Sequence, residues 1–265
     1  MIVTDLDGTL LRTDKTISDY TNAVLGRCRR AGIKVAYATG RGGSAEQVAP
    51  SGFFDGRISM NGAIAKASDR IVYNRPIPYL AVRLLLSACD ERGIRIVSEN
   101  SDIHYSNFVV SDVWEHISNY VIVDFLRHNV DAEKIYTPSP TPDDILFIKR
   151  MLPDSLYFVL TADGNRSLGQ VMHKDATKAK AAVALAHSWD IDKSDIVAFG
   201  DDYNDVDMIK ECGIGVVVAN AVDECKIVAD FICGDCDNDG VAKWLDENIV
   251  WNTELRSEVE CRIWN

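Results

Sequence analysis

The segment Ile2-Val3-Thr4-Asp5-Leu6-Asp7-Gly8-Thr9 contains the strongest structural signal in the sequence. Its first three residues predict a short strand. Two carboxylates, Asp5 and Asp7, follow directly, and Gly8 permits the immediate backbone turn that lets both face one pocket. An acidic turn that only caps a neighbouring element remains an alternative for this stretch alone. What the rest of the chain brings to the same place therefore decides between the two interpretations.

Strand and helix patterns alternate through the first and last thirds of the chain, which predicts a parallel sheet with helices on both faces. A capping-box pattern at Ser44 marks one helix start, and Asn61-Gly62 closes a short strand. The predicted elements are helix 18–31, strand 34–38, a helix from residue 44, strand 58–60, helix 177–187, strand 196–199, helix 204–211, strand 214–218 and helix 241–247.

The middle of the chain has a different pattern. Pro76-Ile77-Pro78 interrupts the chain like a hinge, and 79–92 predicts a helix ended by Gly93. Further on come short strand-like segments at 94–98, 145–149, 157–161 and 168–172, and a helical stretch at 113–128. We therefore predict a doubly wound α/β core over residues 1–77 and 174–265, with an α+β domain inserted at 78–173.

Chemistry-bearing residues stand at the predicted strand ends. Asp5, Thr39 and Asp201 each follow a strand of the core. Ligands of open parallel sheets bind beyond the carboxyl ends of the strands, so we expect these three residues to share a site. Thr39-Gly40 could also do no more than end its strand.

Composition excludes several kinds of partner. The chain has 265 residues, 47% hydrophobic, and a net charge of −12 from 40 acidic and 28 basic residues. Such a charge repels nucleic acid and anionic membranes, and it would repel a phosphorylated substrate unless a local cation reversed the field. No apolar run could cross a bilayer. Asp5 and Asp7 stand where the apolar region of a secretory leader would begin, so we expect a protein that is not secreted.

The seven cysteines are odd in number and irregularly spaced, which favours free buried thiols in a reducing cytoplasm. Cys233 and Cys236 form a lone CxxC pair. Without a second pair or suitable histidines, a redox or zinc role for it is disfavoured. The polar tail from Trp251 is assigned no role.

Four motifs in order resemble those of the haloacid dehalogenase superfamily, and in particular the Cof-like phosphatases, which have a large C2-type cap. They are Asp5-Leu-Asp7-Gly-Thr-Leu, Ala38-Thr39-Gly40-Arg41, Lys178 at a helix start, and Gly200-Asp201-Asp202-Tyr203-Asn204-Asp205. Ala219-Asn220-Ala221 and Asp239-Gly240-Val241 resemble the closing segments of that family. Superfamily ion pumps have threonine at the position of Asp7 and dehalogenases lack this acid, so the resemblance favours phosphatase or phosphomutase chemistry.

The resemblance also implies a role for each motif residue. Asp5 would attack phosphorus and form an aspartyl-phosphate, and Asp7 would donate and accept the proton. Mg²⁺ would be held by Asp5, by the backbone carbonyl of Asp7, and by Asp201, with Asp205 close by or acting through water.

The remaining motif residues would bind phosphate. Thr39 and Gly40 would hold its oxygens, Lys178 would neutralise its charge, and Asn204 would orient either that lysine or the phosphate. Arg41 would contact phosphate or substrate, or else pair with an acidic neighbour. Lys178 is chosen over Lys174 and Lys180 by its position in the motif, and Asp202 is expected to face solvent.

The resemblance implies a cytoplasmic enzyme, a monomer or small homo-oligomer, that acts on a small phosphate ester, most often a sugar phosphate. A phosphatase of FMN or pyridoxal phosphate, a phosphomutase, and a non-catalytic phospholigand-binding protein are the alternatives. The inserted domain would act as a cap that closes over the site and selects the substrate. Its segment 151–155 is shorter than the helix expected in larger caps of this type, which leaves the cap subtype open.

Overall fold

The computed structural model describes residues 1–49 and 51–250, so the C-terminal tail lies outside the described residues. The chain divides into two compact units. Unit 1 comprises Met1–Tyr73 together with the chain from Thr177 onward, and unit 2 is Asn74–Ala176. The boundaries predicted from the sequence, 77/78 and 173/174, lie within four residues of these. That unit 2 acts as a substrate-selecting cap stays a prediction.

The strands are named in chain order. They are β1 (Ile2–Thr4), β2 (Val35–Ala38), β3 (Gly56–Ser59), β4 (Ile64–Ala67), β5 (Arg70–Asn74), β6 (Val97–Asn100), β7 (Ile103–Ser106), β8 (Tyr120–Ile122), β9 (Lys134–Pro138), β10 (Leu156–Asp163), β11 (Arg166–His173), β12 (Val197–Gly200), β13 (Ile214–Val217) and β14 (Phe231–Ile232).

The helices are likewise named in chain order. They are α1 (Asp19–Arg30), α2 (Ala45–Val48), α3 (Tyr79–Glu91), α4 (Pro142–Met151), α5 (Lys178–His187), α6 (Val206–Glu211), α7 (Asp223–Val228) and α8 (Gly240–Leu245). None of the helices in the described ranges is long and apolar enough to cross a bilayer.

Unit 1 is built on one eight-stranded sheet with the order β14-β13-β12-β1-β2-β3-β4-β5. From β14 to β3 neighbouring strands are parallel, and β4 returns antiparallel to β3. Every residue of β1, β2 and β12 is buried, as expected for parallel strands covered on both faces. The predicted α/β class with a doubly wound parallel sheet is confirmed.

The topology of unit 1 brings three loops together. The chain leaves β1 in one direction through β2 and β3, and returns on the other side of β1 through β12 and β13. The carboxyl ends of β1, β2 and β12 are therefore adjacent, and a crevice forms where the strand order changes direction. Asp5, Thr39 and Asp201 follow these three strands directly.

Unit 2 contains a mixed sheet with the order β10-β11-β9-β6-β7-β8. An apolar cluster that includes Leu86 on α3, Ile148 on α4 and Ile135 on β9 is its main core. A smaller cluster around Trp114 and Tyr136 is separate from it. The predicted α+β character of this segment agrees with that arrangement.

Three predictions in the local structure are wrong. Residues 113–128 form strand β8 and short 3-10 turns rather than a helix, because the β-branched run Val121-Ile122-Val123 continues beside β7. Residues 145–149 belong to helix α4 and not to a strand. Thr141 and Asp144 form a capping box that starts this helix. The helix ends at Met151, where the 151–155 segment begins. The Ser44 side chain makes no capping hydrogen bond, and α2 has only four residues.

Candidate active site

The crevice at the carboxyl edge of the unit 1 sheet holds most of the predicted residues. Six of them line one pocket together with Asp202: Asp5, Asp7, Thr39, Gly40, Arg41 and Asn204. The backbone N–H of Asp5 continues the sheet by donating to the carbonyl of Phe199 at 2.9 Å. Asp5, the candidate nucleophile, is therefore fixed at the centre of the sheet and is only 5% exposed.

Lys178 lies against this carboxylate. Its Nζ donates to Asp5 Oδ1 at 2.6 Å and to Asp205 Oδ1 at 2.7 Å. Lys178 is 1% exposed, whereas Lys174 and Lys180 are exposed. Of the three lysines, the structure places Lys178, the one chosen from the motif, in contact with the predicted nucleophile.

The backbone around Lys178 explains how it is placed. Thr177 caps α5 by accepting from the N–H of Lys180, which fixes Lys178 as the first helical residue. The 60–62 turn approaches closely, and a Cβ on Gly62 would lie 2.2 Å from the Thr177 carbonyl oxygen. Gly62 also has a φ of +98°, so a larger residue there would displace the start of the helix that presents the lysine.

Asp201, which is half-buried, and the buried Asp205 complete a group of three carboxylates with Asp5. One oxygen from each of Asp5, Asp201 and Asp205 lies within 4.8 Å of the others. Thr9 Oγ1 donates to Asp201 Oδ1 at 2.5 Å, and a Cβ on Gly8 would lie 2.5 Å from Asp201 Oδ2. The glycine of the first motif therefore leaves the space in which the Asp201 carboxylate sits.

Asp205 has both oxygens committed within the described residues. Its Oδ1 accepts from Lys178, and its Oδ2 accepts from the N–H groups of Asp201 and Asp202 at 3.1 and 3.2 Å. Asp205 therefore orients Lys178 and the Asp201 loop. The sequence predicts Asp205 close to the metal or acting through water, and with both of its oxygens committed a supporting place beside the metal remains the prediction.

The donor set fits a hard divalent cation. Three carboxylates lie together with a single ammonium group, which contacts two of them, so the cluster carries an excess of negative charge that a cation would offset. Oxygen ligands are those that Mg²⁺ prefers. Asp5 Oδ2 and Asp201 Oδ2, which accept no hydrogen bond from the described residues, are the free side-chain oxygens of this set.

The pKa directions follow from the same charge imbalance. Burial raises the pKa of Asp5 well above its ordinary value, Lys178 opposes that rise, and Asp205 and Asp201 add to it. Burial also raises the pKa of Asp201 to about 6, with Asp205 adding to the effect and the Thr9 hydrogen bond opposing it. Burial disfavours the Lys178 ammonium, but its attraction to Asp205 and Asp5 outweighs burial and raises the pKa of Lys178.

Asp7 lies in a different environment. Arg41 donates to it with two nitrogens, Nε to Oδ2 at 2.5 Å and Nη2 to Oδ1 at 2.6 Å. Lys15 Nζ lies 2.8 Å from Oδ1. Burial pulls the pKa of Asp7 upward, but the hydrogen bonds from Arg41 and Lys15 outweigh it and lower the pKa. For Arg41, pairing with an acidic neighbour is thus the arrangement present in this structure.

The pocket is also lined by Thr39, Gly40 and Asn204. The N–H of Thr39 is committed to the Ile58 carbonyl, and its Oγ1 accepts from the Arg41 N–H at 3.2 Å. The Gly40 N–H donates to no other described residue. Asn204 Nδ2 donates to Asn61 Oδ1 at 2.8 Å and makes no hydrogen bond with Lys178. Of the two roles predicted for Asn204, the structure favours the one on the phosphate side.

The cysteine pair at 233 and 236 lacks the character of a reactive site. Both thiols are free, and burial raises the pKa of Cys233 to about 12 and that of Cys236 above its usual value. A thiol with a raised pKa is a poor nucleophile and a poor metal ligand.

Comparison with known proteins gives the family. The model of the haloacid dehalogenase-like hydrolases matches residues 2–245. The chain belongs to this family. The predicted resemblance is therefore confirmed, and it extends over the inserted unit as well as the core.

Curated relatives of the chain are phosphatases. The 5-amino-6-(5-phospho-D-ribitylamino)uracil phosphatase YcsE of Bacillus subtilis is 29% identical over 250 residues, which is 92% of this chain and 93% of the relative. The pyridoxal phosphate phosphatase YbhA of Escherichia coli is 24% identical over 279 residues, covering 94% and 98%. Among solved structures, the phosphatase BT1666 of Bacteroides thetaiotaomicron is 25% identical, with a TM-score of 0.79 and 94% of each chain covered. The chain is thus a phosphatase-type hydrolase of the family.

Four residues at the site were missed in the sequence. Lys15 contacts Asp7, Thr9 holds Asp201, and Asn61 bonds Asn204. Asn220 Nδ2 donates to the Gly8 carbonyl at 2.7 Å. Thr9 and Asn220 stand within quoted motifs, and Asn61 stands in the Asn-Gly turn, where its φ of 53° is left-handed. No signal in the sequence pointed to Lys15.

Proposed function

We propose that this protein is a Mg²⁺-dependent phosphatase that hydrolyses a small phosphate monoester through an aspartyl-phosphate on Asp5. The observation that carries the proposal is the buried Lys178 bridge between Asp5 and Asp205, beside Asp201 and beneath an open pocket. In a purely structural cluster, two buried carboxylates and a half-buried one beside a single ammonium group would destabilise the fold. In a metal-dependent phosphatase the surplus of negative charge has a use, because the carboxylates bind the metal ion that attracts the phosphate.

In the first step Asp5 attacks phosphorus in line with the ester oxygen. A bond forms between the carboxylate oxygen and phosphorus, and the bond from phosphorus to the ester oxygen breaks. The anionic ester opposes the lowered pKa of Asp7 and favours its carboxylic acid form, which gives its proton to the departing alkoxide. Lys178 balances the charge of the transferring group, and Thr39 and the Gly40 N–H hold its oxygens.

In the second step water attacks the phosphorus of the aspartyl-phosphate. Asp7, now a carboxylate, accepts a proton from that water, the acyl-phosphate bond breaks, and Asp5 is regenerated with release of inorganic phosphate. One residue thus acts as acid and then as base, which suits a carboxylate at the rim of the pocket better than one sealed in the interior.

Asp5 and Asp201 would hold the Mg²⁺ ion, together with the backbone carbonyl of Asp7, and Asp205 would support them through its hydrogen bonds. When bound, the ion offsets the repulsion between an anionic nucleophile and an anionic ester. The free side-chain oxygens of Asp5 and Asp201 support this assignment.

For the substrate we propose a sugar or polyol phosphate. Family resemblance supports this class, and so does the ribityl phosphate chain in the name of the YcsE substrate. Pyridoxal phosphate, named for YbhA, is the second candidate. Unit 2 would act as the cap that selects among them.

The test measures inorganic phosphate released from a panel of sugar phosphates, polyol phosphates, FMN and pyridoxal phosphate, with Mg²⁺ or with EDTA. We expect metal-dependent release from at least one ester. The Asp5→Asn variant should lose activity by roughly 10⁴-fold or more, because the covalent route needs this carboxylate. Asp69→Asn, which changes a fully exposed carboxylate, is the matched control.

Three results would argue against the proposal. No metal-dependent release from any ester would exclude the phosphatase, and retention of phosphate on an isomerised product would indicate a phosphomutase instead. Full turnover by Asp5→Asn would leave a phosphatase whose nucleophile is another group.

A further inference from the structure

Lys15 is a cation at the site to which the proposed chemistry gives no task. Its Nζ lies 2.8 Å from Asp7 Oδ1. Arg41 also contacts that oxygen, through Nη2, and in addition contacts Oδ2 through Nε. Asp7, the candidate general acid and base, therefore contacts two cations from separate loops. One loop follows β1 and the other follows β2.

The loop that presents Lys15 is a fixed turn. The N–H of Lys15 donates to the Arg12 carbonyl at 2.8 Å, and the N–H of Arg12 donates to the Thr16 carbonyl at 3.0 Å. Lys15 has a φ of 66°, a left-handed conformation that non-glycine residues rarely adopt. A lysine is thus held at a backbone position that would suit glycine or asparagine.

A second set of contacts anchors this turn. Arg12 pairs with Asp239 at 2.7 Å. Thr13 donates to Asp237 from its N–H and its hydroxyl, both at 2.7 Å. These contacts hold the turn against the segment just before α8. The backbone that carries Lys15 is therefore held without any contribution from Arg41.

The two cations differ in their access to a ligand. Arg41 lines the pocket with Thr39 and Gly40, whereas Lys15 is not among the described residues that line it. A phosphate ester that enters the pocket meets the guanidinium of Arg41, which binds phosphate oxygens in a bidentate manner. If Arg41 turns to the ester, Asp7 Oδ2 is released, while Lys15 keeps its contact with Oδ1.

We propose that Lys15 is a positioning residue, which holds Asp7 through Oδ1 and so directs the free Oδ2 toward the leaving-group oxygen once Arg41 has bound the ester phosphate. This inference rests on the proposed function, since it assigns a partner to the proton carrier of that reaction. It divides the two cations between substrate binding, by Arg41, and orientation of Asp7, by Lys15.

The test compares two kinds of ester in the full-length protein with Mg²⁺. An alkyl phosphate from the substrate panel has a leaving group that needs a proton, and p-nitrophenyl phosphate has one that does not. We expect Lys15→Met to lower kcat and kcat/KM on the alkyl ester by about 10- to 100-fold, part of the contribution of general acid catalysis. On the aryl ester kcat/KM should change by less than about threefold, because kcat/KM reports phosphoryl transfer to Asp5 and not the later attack of water, in which Asp7 acts as a base for both esters. KM for the alkyl ester should stay within about twofold, since Lys15 does not touch the ester.

Two variants and one physical measurement complete the design. Lys15→Arg keeps the positive charge and should restore most of kcat on the alkyl ester, and Lys210→Met, an exposed lysine on α6, should match the wild type. Thermal denaturation confirms that each variant is folded. Because Lys15 is half-exposed, we expect its substitution to leave the melting temperature close to that of the wild type.

The outcomes separate this inference from the proposed function. Equal losses of kcat/KM on the two esters, an unchanged kcat/KM on both, or no recovery with Lys15→Arg would overturn the positioning role while the phosphatase stands. If the wild-type protein releases phosphate from neither kind of ester, the proposed function fails and the role of Lys15 fails with it.

Discussion

Two charged clusters lie side by side in unit 1, and they are built in opposite ways. In the inner cluster the side chains of Lys178, Asp205 and Asp5 are 0%, 0% and 8% exposed. In the outer cluster those of Arg41, Asp7 and Lys15 are 26%, 33% and 50% exposed. The inner cluster has more acids than bases, whereas the outer one has two cations for a single carboxylate.

This difference matches two chemical demands. Charges in a low-dielectric interior interact strongly and hold one geometry, which suits a nucleophile and a metal ligand that must stay in place. Charges at the rim are screened by water and interact weakly, which suits a carboxyl group that must gain and lose a proton. The contrast predicts that equivalent substitutions in the two clusters have very different effects.

The largest effect should come from Lys178→Met. Without this ammonium group, Asp5 and Asp205 are left buried and unpaired, and we expect a loss of stability of about 3–5 kcal/mol. Arg41→Met in the outer cluster should cost about 1 kcal/mol or less, since exposed pairs contribute little. Urea denaturation in EDTA measures both. Equal losses would show that the two clusters do not differ as their burial indicates.

The next effect concerns Asp7. We expect Asp7→Asn to lower kcat on alkyl phosphates by roughly 10²- to 10⁴-fold, because the leaving group then departs without a proton. Stability should change little, since the Asp7 side chain is one-third exposed. Steady-state kinetics and thermal denaturation on the same preparations test this. A strongly lowered melting temperature would instead assign Asp7 a structural role.

A smaller effect should accompany metal binding. Mg²⁺ at 10 to 100 times its Kd should stabilise the wild-type protein by about 1.4–2.7 kcal/mol, by mass action. Asp201→Asn removes one free oxygen ligand and should abolish most of this stabilisation. Thermal denaturation over a magnesium titration gives the readout, with Asp202→Asn as the control in the same loop. A normal magnesium response in Asp201→Asn would remove Asp201 from the metal site.

The smallest effect should come from the cysteine pair. We expect the double substitution Cys233→Ser and Cys236→Ser to leave kcat/KM within about twofold of the wild type, because thiols with raised pKa values carry little thiolate. Activity with and without dithiothreitol provides the measurement. Loss of activity upon mild oxidation of the wild type but not of the double variant would reveal a redox role.

A structural feature could be predicted from the sequence where it depends on residues close together in the chain. The unit 1 sheet was predictable, because strand and helix patterns alternate and the motif residues stand at strand ends. Unit 2 was predicted less well. The 113–128 segment has apolar residues at helical spacing, yet pairing beside β7 places 120–122 in a strand. The β-branched residues at 121–123 are compatible with a strand, but the partner strand that decides between strand and helix is supplied only by the fold.

The same distinction between local and long-range features applies to the candidate site. Asp5, Asp7, Thr39, Lys178 and Asp201 were found because they belong to motifs with fixed spacing. The choice of Lys178 over its two neighbours depended on the motif, and only the packing of α5 shows that its Nζ lies between two carboxylates. The pairing of Arg41 with Asp7, the bond between Asn204 and Asn61, and the contact of Lys15 all join separate loops, so they could not be derived from spacing.

The family, the order of the unit 1 elements and the acids that could perform the chemistry are all readable from the sequence, because they depend on residue types at short separations. Which charges share an environment follows only from the tertiary fold. Whether a carboxylate acts as a fixed buried ligand, as Asp201 does in our proposal, or as a carrier at the rim, as Asp7 does, depends on burial and on partners from distant loops. These set the local dielectric and therefore the strength of every charge interaction.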